Sequence, residues 1–258
     1  MNHSGRNASL GMIAACVLLL GATPVSAQIV NVLPMASGGP GFNGSVNGAV
    51  DWRSGNVDSL RTAGDLMLSF RADRHLTFVV VKGEMGVKSD ALYLAKAFEH
   101  LRYRVGIGGR WSGELYAQHG YDKFQRLKFR VLSGAGVRFN VAEWEGGQVA
   151  IGTSYMPEFE ELNAEVSSGG LQFFHRWSNY LSFGFGLSKE FSFSSTTYIQ
   201  PRFDAFSDYR LSNESGFKIA LGDVLVSPFS FTLAYDSRPP ETVESTDISI
   251  RSTLGLRF

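Results

Sequence analysis

Between Phe42 and Phe258 the chain returns again and again to a strict two-residue alternation of apolar and polar side chains. In "DISIRSTLGLRF", Ile248, Ile250, Leu254, Leu256 and Phe258 hold one parity. Ser249, Arg251, Thr253, Gly255 and Arg257 hold the other. Side chains on a β-strand point alternately to opposite faces, so this pattern makes a ribbon with one apolar and one polar side. The same pattern is found in "FNGSVNGAVDWR", in "SLRTAGDLMLSFR" and in the segments around Val79, Leu101, Leu115, Phe129, Ile151, Phe183, Phe203, Ile219 and Phe231. There are about twelve such segments of roughly 10–14 residues, against a mode of about 5–6 for soluble strands. A strand tilted through a bilayer needs about 9–11.

The expected fold is therefore all-β: a transmembrane antiparallel up-and-down β-barrel of about 12 strands. A mean hydropathy near zero agrees with it, because half of each segment is polar by design. No stretch after residue 27 has 18 consecutive apolar residues, the run a spanning helix requires. The connections alternate in length. "KSDALYLAK", "EFEELNAEVSSGG" and "DSRPPETVEST" are long, whereas "ADRH" and "GGR" are short. An even strand number puts both chain ends on the short side, facing the periplasm. Trp52, Trp111, Tyr121, Tyr155 and Tyr235 are expected near strand ends, where amphipathic rings favour the bilayer interface. His175 falls on the nominal lipid face. Pro201 falls inside a strand, where a bulge would accommodate it.

The first 27 residues have a different character. Arg6 precedes an apolar run from Met12 to Leu20, and Val25-Ser26-Ala27 supplies small residues for cleavage before Gln28. This predicts a secretory signal peptide over 1–27, a Gly/Pro-punctuated periplasmic linker over 28–41 and a barrel over 42–258. Cys16 beside "IAA" also suggests lipidation, but the apolar run continues past it. Cleavage removes the only Cys and leaves 23 basic against 24 acidic residues. The loss of that Cys excludes disulfides and thiol chemistry, and the charge balance gives no electrostatic draw toward nucleic acid. The expected surroundings are outer-membrane lipids and lipopolysaccharide, with the barrel-assembly machinery engaged during biogenesis. The aromatic end of the final strand, Phe258, is the expected assembly signal.

No catalytic constellation stands out. Two residues on one strand share a face only at even spacing, and none of His75, His100, His119 and His175 has a Ser two positions on. Those four His are too scattered for a metal site, and no cofactor is implied. "EFEEL", Glu158 to Leu162, reads as an exposed acidic loop. "GIGG", Gly106 to Gly109, reads as a strand end and turn. The polar face is richer in charge: Arg61, Asp65, Lys82, Glu84, Arg102, Arg104, Glu114, Lys128, Arg130, Arg210, Glu214 and Lys218 are the expected lumen-facing residues. Two readings stand: an interior filled by salt-bridged side chains, or an aqueous lumen favouring anions. Mixed signs along each strand favour the network.

Several stretches resemble the putative salt-induced outer-membrane protein family, domain of unknown function 481. They are "GSVNGAVDWRSGNVDSL", "FEHLRYRVGIG", "QHGYDKFQRLKFRVLSGAGVRF", "DYRLSNESGFKIALGD" and the "LAYDSRPP" segment. The resemblance implies a Gram-negative outer-membrane barrel and carries over no catalytic or ligand residue. Its salt-induced designation concerns expression. The expected protein is non-enzymatic, a small passive channel linked to salt or osmotic stress. The alternatives are a membrane-embedded lipid or lipopolysaccharide hydrolase and a structural barrel that binds a partner through its outer loops.

The terminal alternation generates a direct test. Phe258→Asp should deplete the folded, heat-modifiable form in the outer-membrane fraction, and Arg257→Gln, on the other parity, should be milder. Equal folded amounts in both variants and wild type would deny the terminus any assembly role.

Overall fold

The computed structural model describes residues 39–55, 58–123, 127–162, 170–240 and 243–258. The expected signal peptide and most of the expected linker lie outside the described residues. The described residues form thirteen β-segments: β1 (Gly41–Arg53), β2 (Ser59–Ala72), β3 (His75–Lys88), β4 (Ala91–Gly108), β5 (Trp111–Asp122), β6 (Leu127–Trp144), β7 (Gly147–Leu162), β8 (Gln172–Gly186), β9 (Phe191–Pro201), β10 (Tyr209–Leu221), β11 (Leu225–Asp236), β12 (Thr246–Ser252) and β13 (Leu254–Arg257). Each strand from β1 to β11 pairs antiparallel with the next, β13 also pairs with β11, and β13 pairs with β1. The sheet is thereby closed.

β12 and β13 are one strand interrupted at Thr253, so the barrel has twelve strands. The interruption has a local cause. Thr253 N donates to Pro228 O at 3.0 Å, but proline has no N–H to return. The Ser227 hydroxyl donates to Thr253 O instead, at 3.3 Å. At the seam, Gly44 N donates to Phe258 O at 2.8 Å and Phe258 N to Gly44 O at 3.0 Å. The Phe258 ring lies over Gly44, where any Cβ would collide with it.

One end of the barrel has only short turns: Asp73-Arg74, Gly109-Arg110, Glu145-Gly146, 187–190 and 222–224. Both Gly41 and Phe258 lie at this end. The longer connections, 163–171, 202–208 and 237–245, lie at the other. "KSDALYLAK" is not among them. Ser89 and Asp90 alone make the turn, with φ of 46° and 63°, and "ALYLAK" belongs to β4. Two residues of positive φ form the tight hairpin whose twist suits its strands.

The two faces separate as the alternation predicts. Phe42, Val50, Trp52, Leu101, Leu115, Val131, Ile250 and Leu256 are outward and exposed, while Phe78, Val80, Phe98, Met156 and Tyr198 are inward and buried. Aromatic rings collect near both rims. Trp111 packs on Phe139, and Phe183, Phe185, Phe193 and Phe217 form a cluster toward the short-turn end. Phe159 with Phe173, and Tyr209 with Tyr235, lie toward the other. Tyr155 is an exception to its expected place: it lies mid-strand in β7, opposite Trp177. Pro201 needs no bulge, because it is the last residue of β9. Phe203 and Asp204 lie in the following connection.

An outward Arg should cost according to depth. Leu66→Arg, mid-strand in β2, should lose about 2–4 kcal/mol of folding free energy in bilayers, and Leu60→Arg, near the strand end, about 0–1. Denaturant unfolding in lipid vesicles measures both. Equal costs would contradict this assignment of the outward face.

Candidate functional site

The inward face is a connected ionic and aromatic network, built from residues that alternate with the outward apolar ones. At its centre is Glu114 on β5. Arg102 Nη1 donates to its Oε2 at 3.1 Å, Arg104 Nε to its Oε1 at 2.7 Å, and Tyr180 Oη to Oε2 at 2.8 Å. Arg102 also reaches Tyr198 Oη at 3.5 Å and lies over the Tyr116 ring, 4.6 Å from its centroid. Arg138 donates to Tyr180 Oη, Ser182 Oγ and Gln148 Oε1. Two inward glycines make room for these rings: an added Cβ at Gly134 would collide with Tyr116, and one at Gly152 with Tyr180.

These contacts cross the lumen. Glu114 and Arg102 sit on β5 and β4, and Tyr180 and Tyr198 on β8 and β9. Leu76, Phe78, Val80 and Phe98 pack with the same two tyrosines in one buried cluster. His100 adds a ring against Phe78, Phe98 and Tyr116. Lys82 on β3 meets Glu214 on β10 at 3.1 Å.

Two further hubs flank the centre. Glu84 takes Arg61 and Arg251 at close range and Lys96 at 3.2 Å. Glu158 and Glu160 on β7 accept from Arg210 at 2.6 and 2.9 Å. Arg130 also binds Glu160, and Arg176 approaches Glu158 at 3.5 Å. Arg210 Nε reaches Asp236 at 2.9 Å, and Arg176 and Arg202 share Asp208. In the 202–208 connection, hydrogen bonding from Arg202 holds the Asp204 carboxyl below the usual carboxylate range.

Of the expected lumen residues, Arg61, Lys82, Glu84, Arg102, Arg104, Glu114, Arg130, Arg210 and Glu214 all enter these ion pairs. Asp65 accepts from Asn47 Nδ2 at 2.6 Å. Lys218 lines a cavity beside Gly216 and Arg257. Lys128 departs from the expected parity. The pairing register slips between Leu127 and Phe129, so Leu127 is buried and Lys128 is exposed, bound to Glu161 at 2.6 Å. "EFEEL" is no loop: Glu158 is 1% and Glu160 6% exposed. Their parity with Met156 and the outward Phe159 between them were the available signal.

Unfilled space remains on both sides of the network. A cavity of about 610 Å³ opens at the short-turn end, reaching from Arg257 and Phe258 up to Lys82, Glu214 and Arg251. One of about 200 Å³ lies at the long-loop end among Arg130, Arg176, Arg210, Asp236 and Asp247. Between the central network and the second hub only about 40 Å³ is left. On the outer wall, His119 Nδ1 lies 2.6 Å from Glu99 Oε2, and His175 bonds the Tyr155 hydroxyl. The hydrogen bonds of the four described His run to Tyr, Gln, Arg and Glu side chains, never to a Ser.

The family described as "Protein of unknown function, DUF481" matches residues 47–258. No curated protein matches the chain. Among solved structures, it is similar to the NanC porin at 8% identity, covering 83% of this chain and 97% of that one, with a TM-score of 0.46. It is similar to the translocator domain of the autotransporter NalP from Neisseria meningitidis at 10% identity, with coverages of 88% and 91% and a TM-score of 0.46. It is also similar to the KdgM porin in complex with disordered oligogalacturonate, at 8% identity, 84% and 98% coverage and a TM-score of 0.42.

Removing the central carboxylate should be severe. Glu114→Gln leaves Arg102 and Arg104 buried without their counter-charge, a change worth about 3–5 kcal/mol. Lys128→Gln breaks an exposed pair worth about 0–1 kcal/mol. Unfolding midpoints of the two variants measure the difference, and a similar loss in both would refute the central role of Glu114.

Proposed function

The chain belongs to the DUF481 family, and we propose that it is a non-enzymatic barrel of the Gram-negative outer membrane whose lumen is a narrow polar path, closed at mid-height in this state. The membrane reading is supported by the outward apolar face, the two aromatic rims and full sheet closure. Hydrocarbon offers nothing to an unpaired N–H or C=O, so a spanning sheet must close. The chain ends at the short-turn rim then face the periplasm. Lipid and lipopolysaccharide surround the outer wall, and the assembly machinery engages the final strand.

The observation that carries the channel reading is the set of contacts across the lumen: Arg102 to Tyr198, Tyr180 to Glu114 and Lys82 to Glu214. Twelve strands enclose room for a solute path, but these side chains occupy it, so passage is restricted to small ions and solutes that slip between polar groups. The cavity linings mix both signs, with Lys82, Lys218, Arg251 and Arg257 against Asp65, Glu214 and Asp223. Such a path has weak charge selectivity. The finer form of the reading is a small passive channel serving the cell in salt or osmotic stress.

Planar-bilayer conductance tests the proposal. Wild type should conduct far less than an open porin. Phe78→Ala combined with Tyr198→Ala should raise the conductance by thinning the packed centre while leaving the Glu114 pairs in place. A large wild-type conductance, or a double variant indistinguishable from wild type, would overturn it.

A further inference from the structure

The outward face of the barrel is mostly apolar at mid-height, interrupted by the Glu99–His119 pair on β4 and β5 and by a wider, uncharged polar belt on β7–β10. In β1–β5 the middle outward positions include Val46, Leu66, Val81, Leu101 and Leu115. In β7–β10 they are Thr153, Asn179, Ser195, Thr197, Asn213 and Ser215. Their outward direction follows from their neighbours, because Ser178, Tyr180, Thr196, Tyr198 and Ser212 alternate with them and are buried inward. Their height follows from the register. Thr153 stands opposite Asn179, Thr197 opposite Asn213, and Ser195 opposite Ser215. Asn179 is the central residue of β8. The phenylalanine cluster lies toward the short-turn end, with Trp177 and Tyr155 on the other side.

The six residues form two hydrogen-bonded groups. Trp177 Nε1 donates to Thr153 Oγ1 at 2.7 Å, which donates to Asn179 Oδ1 at 2.8 Å. Asn213 Nδ2 donates to Thr197 Oγ1 at 2.9 Å and Ser195 Oγ at 3.1 Å, and its Oδ1 accepts from Ser215 at 2.8 Å. The Asn179 amide has two N–H groups, and its hydrogen bond is a long one, 3.3 Å to Trp177 O. Acyl chains at this depth can neither donate nor accept. A polar group facing them is costly, and small polar side chains between packed spanning elements are the usual way of meeting that cost.

We propose that the outward face of β7–β10 is an interface within the membrane, and that its occupant is the same face of a second copy of this chain. Asn, Ser and Thr each donate and accept, so the belt is its own chemical complement. Because its residues fall within four register positions of one another, a two-fold axis along the bilayer normal sets belt against belt, the geometry of an isologous dimer. Thr197 and Asn179 lie at the centre of the belt and so nearest that axis. The proposal rests on the barrel spanning a bilayer.

The test uses the chain's own lack of thiols, Cys16 being its only cysteine. In a Cys16→Ser background, Thr197→Cys should give a disulfide-linked species of twice the mass on oxidation in proteoliposomes. Val81→Cys, on β3 at the opposite wall, should stay monomeric. Both variants are read only from the heat-modifiable folded fraction, so failure to insert, which would count against the membrane reading, is seen separately. Asn179→Leu with Asn213→Val should keep the folded barrel and lower the Thr197→Cys dimer severalfold. Stepwise photobleaching of the singly labelled but otherwise unaltered chain in supported bilayers gives a readout free of belt substitutions, with two steps expected. Equal cross-linking at Thr197 and Val81, no cross-link at Thr197 in the folded fraction, or one-step bleaching would overturn the proposal. A cross-linked species of another mass in cells would replace the second copy with a different protein.

Discussion

The structure depends on one constraint: backbone N–H and C=O groups inside hydrocarbon have no partner except one another. Closure of β13 onto β1 meets it for the sheet as a whole. The most fragile places are those where a ladder bond is missing or the seam is short. Pro228 removes one donor, and the Ser227 hydroxyl replaces it. Gly44 accepts the Phe258 ring at the seam because it has no side chain to obstruct it. The outward apolar face and the inward polar face both follow from the same closed ladder, since alternation is a property of the strand itself.

Closure also creates an interior, and a polar interior must be either wet or paired. This barrel pairs. Glu84, Glu114 and Glu158 each draw several cations, and each hub joins strands that are not sheet neighbours, such as β3 with β12 or β7 with β10. Buried ion pairs are weak sources of net stability, since desolvation offsets much of the Coulomb gain. Their larger consequence is geometric. An Arg fork and a carboxylate fix distance and direction together, so the hubs hold opposite walls at a set spacing. The tyrosines of β8 and β9 lock into the same framework from the other side. A lumen held in this way has space at both ends and almost none at the centre.

Much of this was legible in the sequence, because a period of two over long segments leaves few other folds. The strand number, the two faces and most of the inward charges follow from parity alone. What parity missed has identifiable causes. Lys128 sits beside a register slip, and one extra residue turns every side chain on that side of it to the other face. Ser89-Asp90 carries no glycine to announce a tight turn, so "KSDALYLAK" resembles a loop. Glu158 and Glu160 look like a solvated acidic run because their counter-charges, Arg130, Arg176 and Arg210, are far away in sequence. Partner identity across a lumen depends on strand order and shear, and no local pattern contains it. The same holds for the outward polar belt, whose six residues are scattered over four strands and show themselves as a group only once the register is known.

The central claim is that one alternation separates a lipid-facing wall from a closed interior. Spin-label accessibility along β3, position by position from Leu76 to Val87 in lipid bilayers, tests it most directly. Odd positions such as Val79 and Val81 should be accessible to dissolved oxygen and not to a water-soluble nickel reagent. Phe78 and Val80, packed in the closed centre, should be accessible to neither. Nickel access at Phe78 and Val80 would mean an open aqueous lumen, and loss of the two-residue period would mean that β3 is not a wall of a membrane barrel.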